Sequence, residues 1–122
     1  MNILFISPTD APINKKSKYV GIERLVWEYS RELIKSHKVT VIGHQDSDYA
    51  DGVCHLPAFT EVKAYQEYSY LYRNFDVIHD FSHAHFVARN NANLPCVNPF
   101  WHAPSLGQYP KAPYNIIALS QW

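Results

Sequence analysis

From its third residue the chain is apolar without interruption through Ile3, Leu4, Phe5 and Ile6, and the run is halted by Ser7 and Pro8. A continuous apolar run in place of alternation predicts a strand buried on both faces, as in a parallel sheet. Residues 8–20 are polar and hold Pro8 and Pro12, which predicts a loop. From Gly21 the period becomes helical. Ile22, Leu25, Val26, Tyr29 and Leu33 recur on one face, and Glu23, Arg24, Glu28, Arg31, Glu32 and Lys35 fill the other. The helix is expected to stop near Ser36-His37, and "KVTVIG" reads as a second strand. Strand, loop, helix and strand in that order are the signature of a right-handed crossover between parallel strands.

The alternation continues. "GVCHLP" predicts a third strand, and Thr60 is a suitable N-cap for a helix through about Phe75, with Glu61 in its first turn. "DVIHDFS" predicts a fourth strand running into a loop, and "HFVARNNAN" a short helix. "PCVNPFW" is a fifth strand, and "APYNIIALS" contains a sixth. No repeat, low-complexity segment or linker interrupts residues 1–122. The expectation is a single α/β domain: a doubly wound, mostly parallel sheet of about six strands in a three-layer sandwich. The expected strand order is 3-2-1-4-5-6, with residues 3–7 central.

Composition narrows the function. The 122 residues are 47% hydrophobic and 18% charged, with zero formal net charge, so the composition is globular. No overall basic field points to nucleic acid or to an anionic membrane. No stretch has the length of a transmembrane helix, and the first residues carry no basic leader, which predicts a cytoplasmic protein. Cys54 and Cys96 are far apart without metal-type spacing and read as reduced core thiols. Tyr65, Tyr68, Tyr72 and Phe75 share one helix face, expected to pack on the sheet with hydroxyls reaching water, a partner interface being the alternative. Lys15, Lys16 and Lys18 form a small basic cluster that reads as solvated surface or as steering for an anionic acceptor.

Three places carry candidate chemistry. Gly21 opens the first helix, where free backbone N–H groups and the helix dipole attract anions and a glycine permits close approach. It reads either as half of a phosphate- or sugar-binding lip or as the relief of a tight turn. The Gly-x-Gly-x-x-Gly fingerprint is absent, which argues against a nicotinamide cofactor. In "HDFSHAH", His79, Asp80, His83 and His85 are of metal-ligating types, but they run from strand to loop with no cysteine nearby. They are read as polar residues at the cleft edge, where acceptor contacts belong, and no metal is expected. His102, in "FWHAPS", reads either as a group that hydrogen-bonds a sugar hydroxyl or as a structural histidine, with no orienting partner that would make it a general base.

The order "NILFISP", "VGIERLVWEYSRELIKSHKVTVIG", "DVIHDFSH", "PCVNPFWH", "IIALSQW" resembles the N-terminal domain of the retaining family-four glycosyltransferases of GT-B fold, and their glycogen- and sucrose-synthase-like relatives. The resemblance covers nearly all of the chain. It implies a Rossmann-like domain holding a sugar or glycosylated acceptor, facing a C-terminal domain that binds the nucleotide-sugar donor as co-substrate and grips its diphosphate. Gly21 matches the second glycine of the family's Gly-Gly loop, with Val20 in place of the first. His102 matches a histidine facing the transferred sugar, and Ser120 the serine opening the next helix. With Gly21, His83, His102 and Ser120 as substrate-binding positions, no residue is assigned a catalytic role and no cofactor is expected. The donor half has no counterpart in these residues, so the chain alone is expected to be inactive. The alternatives are a non-catalytic subunit paired with a separate donor-domain chain, a homo-oligomer, or a stand-alone flavodoxin-like binding protein.

Overall fold

The computed structural model describes residues 1–17, 21–90, 94–100 and 116–118. In chain order these form β1 (Asn2–Ile6), α1 (Ile22–Leu33), β2 (Lys38–His44), β3 (Cys54–Ala58) and α2 (Glu61–Tyr68), which runs into a 3₁₀ segment (Ser69–Asn74). Next come β4 (Val77–Asp80), a short α3 (Phe86–Asn90), β5 (Cys96–Phe100) and a brief β6 (Ile116–Ala118). The strands lie in the order β3-β2-β1-β4-β5-β6, and every neighbouring pair is parallel. This is the order expected from the sequence. β1 is central, with Ile3 beside Val39 of β2 and Val77 of β4.

The pleat of β1 divides its apolar run between two cores. Leu4 and Ile6 join Ile42 and Ile78 against Ala64 of α2, Tyr72 and Val87. Ile3 and Phe5 join Val39 and Val41 against Val26 of α1. α1 thus packs on one face of the sheet, and α2, the 3₁₀ segment and α3 on the other.

Three expectations need correction. The buried face of α1 is Glu23, Val26, Trp27 and Ser30, whereas Tyr29 is 45% exposed. The polar atoms on that face find partners, which allows it to turn inward: the Trp27 indole N–H donates to the Asp48 carbonyl at 3.0 Å and Ser30 Oγ donates to the Trp27 carbonyl at 2.9 Å. The helix after Thr60 does not stay α-helical to Phe75 but tightens into the 3₁₀ segment, in which Tyr72 is buried and Tyr70 exposed. Tyr65, Tyr68 and Phe75 still pack against the same core as Tyr72. Of the two cysteines only Cys96 is buried; Cys54 opens an outer strand of the sheet and is exposed.

The long β1–α1 loop is tied down through the backbone of Ile13. The Ile13 N–H donates to Ser47 Oγ at 3.0 Å, and the Asp48 N–H donates to the Ile13 carbonyl at 2.8 Å. Ile13 is itself buried, so this loop covers part of the core. Beside it the Tyr49 hydroxyl stands against Gly43 of β2, in the space a Cβ would take. Burial pushes the Tyr49 hydroxyl up to about 12. Gly43→Ala is therefore expected to lower unfolding free energy by about 1–3 kcal/mol through overpacking. In a urea-denaturation double-mutant cycle the loss should shrink in a Tyr49→Phe background, which removes the atom in the way. Equal losses in both backgrounds would show that the phenol is not the obstacle.

Candidate edge site at the β1–β4 switch point

Parallel strands deliver the residues that follow β1, β3 and β4 to one edge of the sheet. From β1 the chain moves outward to β2 and from β4 it moves the other way to β5, so the winding reverses between these neighbours. Open α/β sheets bind ligands at the carboxyl edge beside such a reversal. Here Thr9, Asp10, Phe59, Thr60, Glu61, His83 and Ala84 line an open depression of about 550 Å³.

Side chains hold its walls in place. Thr60 caps α2, its Oγ1 accepting the Lys63 N–H at 3.1 Å. This fixes Glu61 at the start of the helix, from which its carboxylate reaches the loop after β4. Its two oxygens accept the N–H groups of His83 at 3.1 Å and Ala84 at 2.8 Å. His83 Nε2 in turn meets Asp10 Oδ2 at 2.9 Å, with both side chains open to solvent, 50% and 68% exposed. The root of the same loop is built on Asp80. Its Oδ1 accepts both the N–H and the hydroxyl of Ser82, and Ser82 Oγ accepts the N–H of His85 at 3.2 Å. His85 is buried and adopts φ 50°, a left-handed conformation more tolerated by histidine than by most residues.

Gly21 stands at the start of α1 with φ 71° and ψ −128°, a conformation that glycine accepts at no steric cost. A carboxylate from the helix itself lies beside this helix start: Glu23 is buried, and its Oε2 is 3.9 Å from where a Cβ on Gly21 would stand. Burial raises the Glu23 carboxyl above the usual carboxylate range, the negative charges of Asp10 and Glu61 add to the rise, and His83 opposes it. The Glu23, Asp10, Glu61 and His83 side chains therefore share one electrostatic neighbourhood.

Of the residues singled out from sequence, Gly21 and His83 stand at this edge, linked through Glu23. His102 and Ser120, like Val20 and Lys18, lie outside the described residues. Lys15 and Lys16 are exposed and do not line the depression. The rest of "HDFSHAH" departs from the cleft-edge reading. His79 clusters with Phe5 and Phe81, at ring separations of 5.5 Å and 4.3 Å, and burial lowers its pKa to about 4. Asp80 is buried, its Oδ2 has no hydrogen-bond partner, and desolvation raises it to about 7 against the pull of Ser82. These two residues are one strand step apart and enter opposite cores. Among the described residues no three His, Cys, Asp or Glu side chains are placed to hold a metal ion. Asp10, Phe59 and the reach of Glu61 were not singled out from sequence. Position just past a strand end was the available signal for the first two. Glu61 was recognisable as a first-turn acid, but nothing local announces a contact to a loop that follows in the chain after a whole helix.

The chain matches no family model, no curated protein and no solved structure. Among the described residues no helix is long and apolar enough to cross a membrane.

His79 and Asp80 give opposed pH dependences. Unfolded, they titrate near 6.5 and 3.8. Between about pH 4 and 6.5 the unfolded chain carries a proton on His79 that the folded chain lacks, so this residue makes stability rise with pH. Between about pH 4 and 7 the folded chain keeps a proton on Asp80 that the unfolded chain has lost, so that residue makes stability fall with pH. Each slope is at most about 1.4 kcal/mol per pH unit. Relative to the parent protein, His79→Phe should tilt the stability curve downward with rising pH, and Asp80→Asn should tilt it upward. Urea unfolding across pH 4.5–6.5 measures both, and tilts of the same sign would refute the assignments.

Proposed function

We propose that this chain is the acceptor-side domain of a retaining glycosyltransferase of GT-B fold. In this reading it is a Rossmann-like, doubly wound three-layer sandwich. It holds a sugar or glycosylated acceptor at its carboxyl edge while a second domain, on the same chain or a separate one, holds the nucleotide-sugar donor. The observation that carries the reading is the make-up of the edge depression. Among the described residues its lining includes Asp10, Glu61 and His83 and neither lysine nor arginine, and the Glu23 carboxylate lies beside the nearby helix start. A diphosphate calls for cations or free helix amides. Sugar hydroxyls instead suit a wall rich in carboxylate acceptors, because each O–H donates.

The division of chemistry follows. This edge contributes positioning of the nucleophilic hydroxyl. Stabilisation of the departing diphosphate falls to the donor domain, and even one preorganised group of that kind is worth roughly 10²–10³ in rate. A flavodoxin-like phosphate binder is disfavoured by the same carboxylates.

The purified chain, followed by backbone-amide NMR, should show saturable shifts at Asp10, His83 and Ala84 with neutral glycans. It should show none there with UDP-, GDP- or ADP-sugars, and incubation with donor and glycan together should transfer no sugar. Enzyme-like transfer by this chain alone, or nucleotide or flavin binding at this edge, would overturn the reading.

A further inference from the structure

We infer that Phe59 is the stacking platform for one face of a neutral pyranose, with the Asp10–His83 pair reading that sugar's hydroxyls. This rests on the acceptor-side reading above and adds to it the charge class of the acceptor and the residue that selects it.

Phe59 is 69% exposed although it is large and apolar, and it opens onto the same depression as Asp10 and His83. Its backbone is held on both sides. The preceding residue, Ala58, ends β3 and its carbonyl accepts the Gln45 N–H at 3.0 Å, and the following residue, Thr60, caps α2. The ring is thus presented from a fixed point rather than from a loose loop. His83 is fixed equally well, its N–H bound to Glu61 Oε2 and its ring to Asp10 Oδ2. Asp10 Oδ1 lies outside that bond and is open to an O–H donor.

A pyranose has an apolar C–H face and a polar rim. An aromatic ring beside a small number of fixed polar groups is the complement of that shape. Charge then decides which sugar. Asp10 and Glu61 line the depression, and Glu23 lies in their field. A sugar phosphate or a uronic acid meets like charge with no lysine or arginine among the described lining residues to offset it, whereas a neutral ring loses nothing.

The test uses the chain with neutral methyl glycosides of glucose, galactose, mannose and N-acetylglucosamine, each alongside the matching sugar 6-phosphate, with affinities read from NMR titration. At least one neutral glycoside should bind with shifts at the Phe59 ring, and its 6-phosphate should bind at least about tenfold more weakly. Phe59→Ala should weaken the neutral ligand about tenfold or more, the loss expected for roughly 50–60 Å² of apolar contact, and Phe59→Trp should restore it. The side chain is exposed, so an unchanged unfolding midpoint confirms that Phe59→Ala leaves the fold intact. Neutral-sugar binding indifferent to Phe59→Ala, or a 6-phosphate binding as tightly as its parent, would overturn this inference alone. If no glycoside in the panel binds, the acceptor-side reading fails and takes the inference with it.

Discussion

β1 has no face that tolerates water, and the rest of the domain is arranged to satisfy it. Ile3, Leu4, Phe5 and Ile6 are each at most 5% exposed. Their alternate sides require helices above and below, and their backbone requires a strand on each flank. Those demands place β2 and β4 beside it, α1 on one face and the α2 segment on the other. They also leave the reversal of winding between β1 and β4, which puts the depression at this end of the sheet. The site is a consequence of covering one apolar strand completely.

Order at that edge does not come from regular structure. The loop after β4 is too irregular for a ladder, and side chains from three segments satisfy its backbone N–H groups: Asp80 below, Ser82 within and Glu61 from α2. A carboxylate that accepts two neighbouring N–H groups holds a loop nearly as a strand would, because both donors are otherwise left without partners. Glu61 and Asp80 are therefore best understood as positioning residues. His83, which Glu61 fixes, is the group they present.

Much of the fold was legible because periodicity is written locally. The unbroken run at β1, the helical period after Gly21 and the Thr60 cap each depend on near neighbours in the chain, and the strand order follows from handedness rules applied to them. What failed to read depended on distant partners. Glu23 and Ser30 look solvent-facing, yet both are buried, Ser30 donating to the Trp27 carbonyl. His79 reads as a polar residue of the cleft edge until Phe5 and Phe81 cluster around it. At the site, Gly21 and His83 announced themselves by residue type and place, whereas Phe59 and Asp10 are ordinary residues made significant by the strands they follow.

Glu23 bears most directly on how labour is divided under the proposed reading. A helix start behind a parallel strand is ordinarily the best anion site such a fold possesses. Here a carboxylate from the helix itself lies beside that position, with Asp10 and Glu61 near enough to raise its affinity for a proton. Two like unit charges about 4 Å apart near a protein surface repel by roughly 4 kcal/mol. A diphosphate brought to this edge would meet three such groups. The same carboxylates are an advantage toward hydroxyls, which need acceptors and carry no charge. Under the proposed reading, these carboxylates leave the grip on an anionic donor to the other domain and this edge to a partner that is neutral and rich in O–H groups.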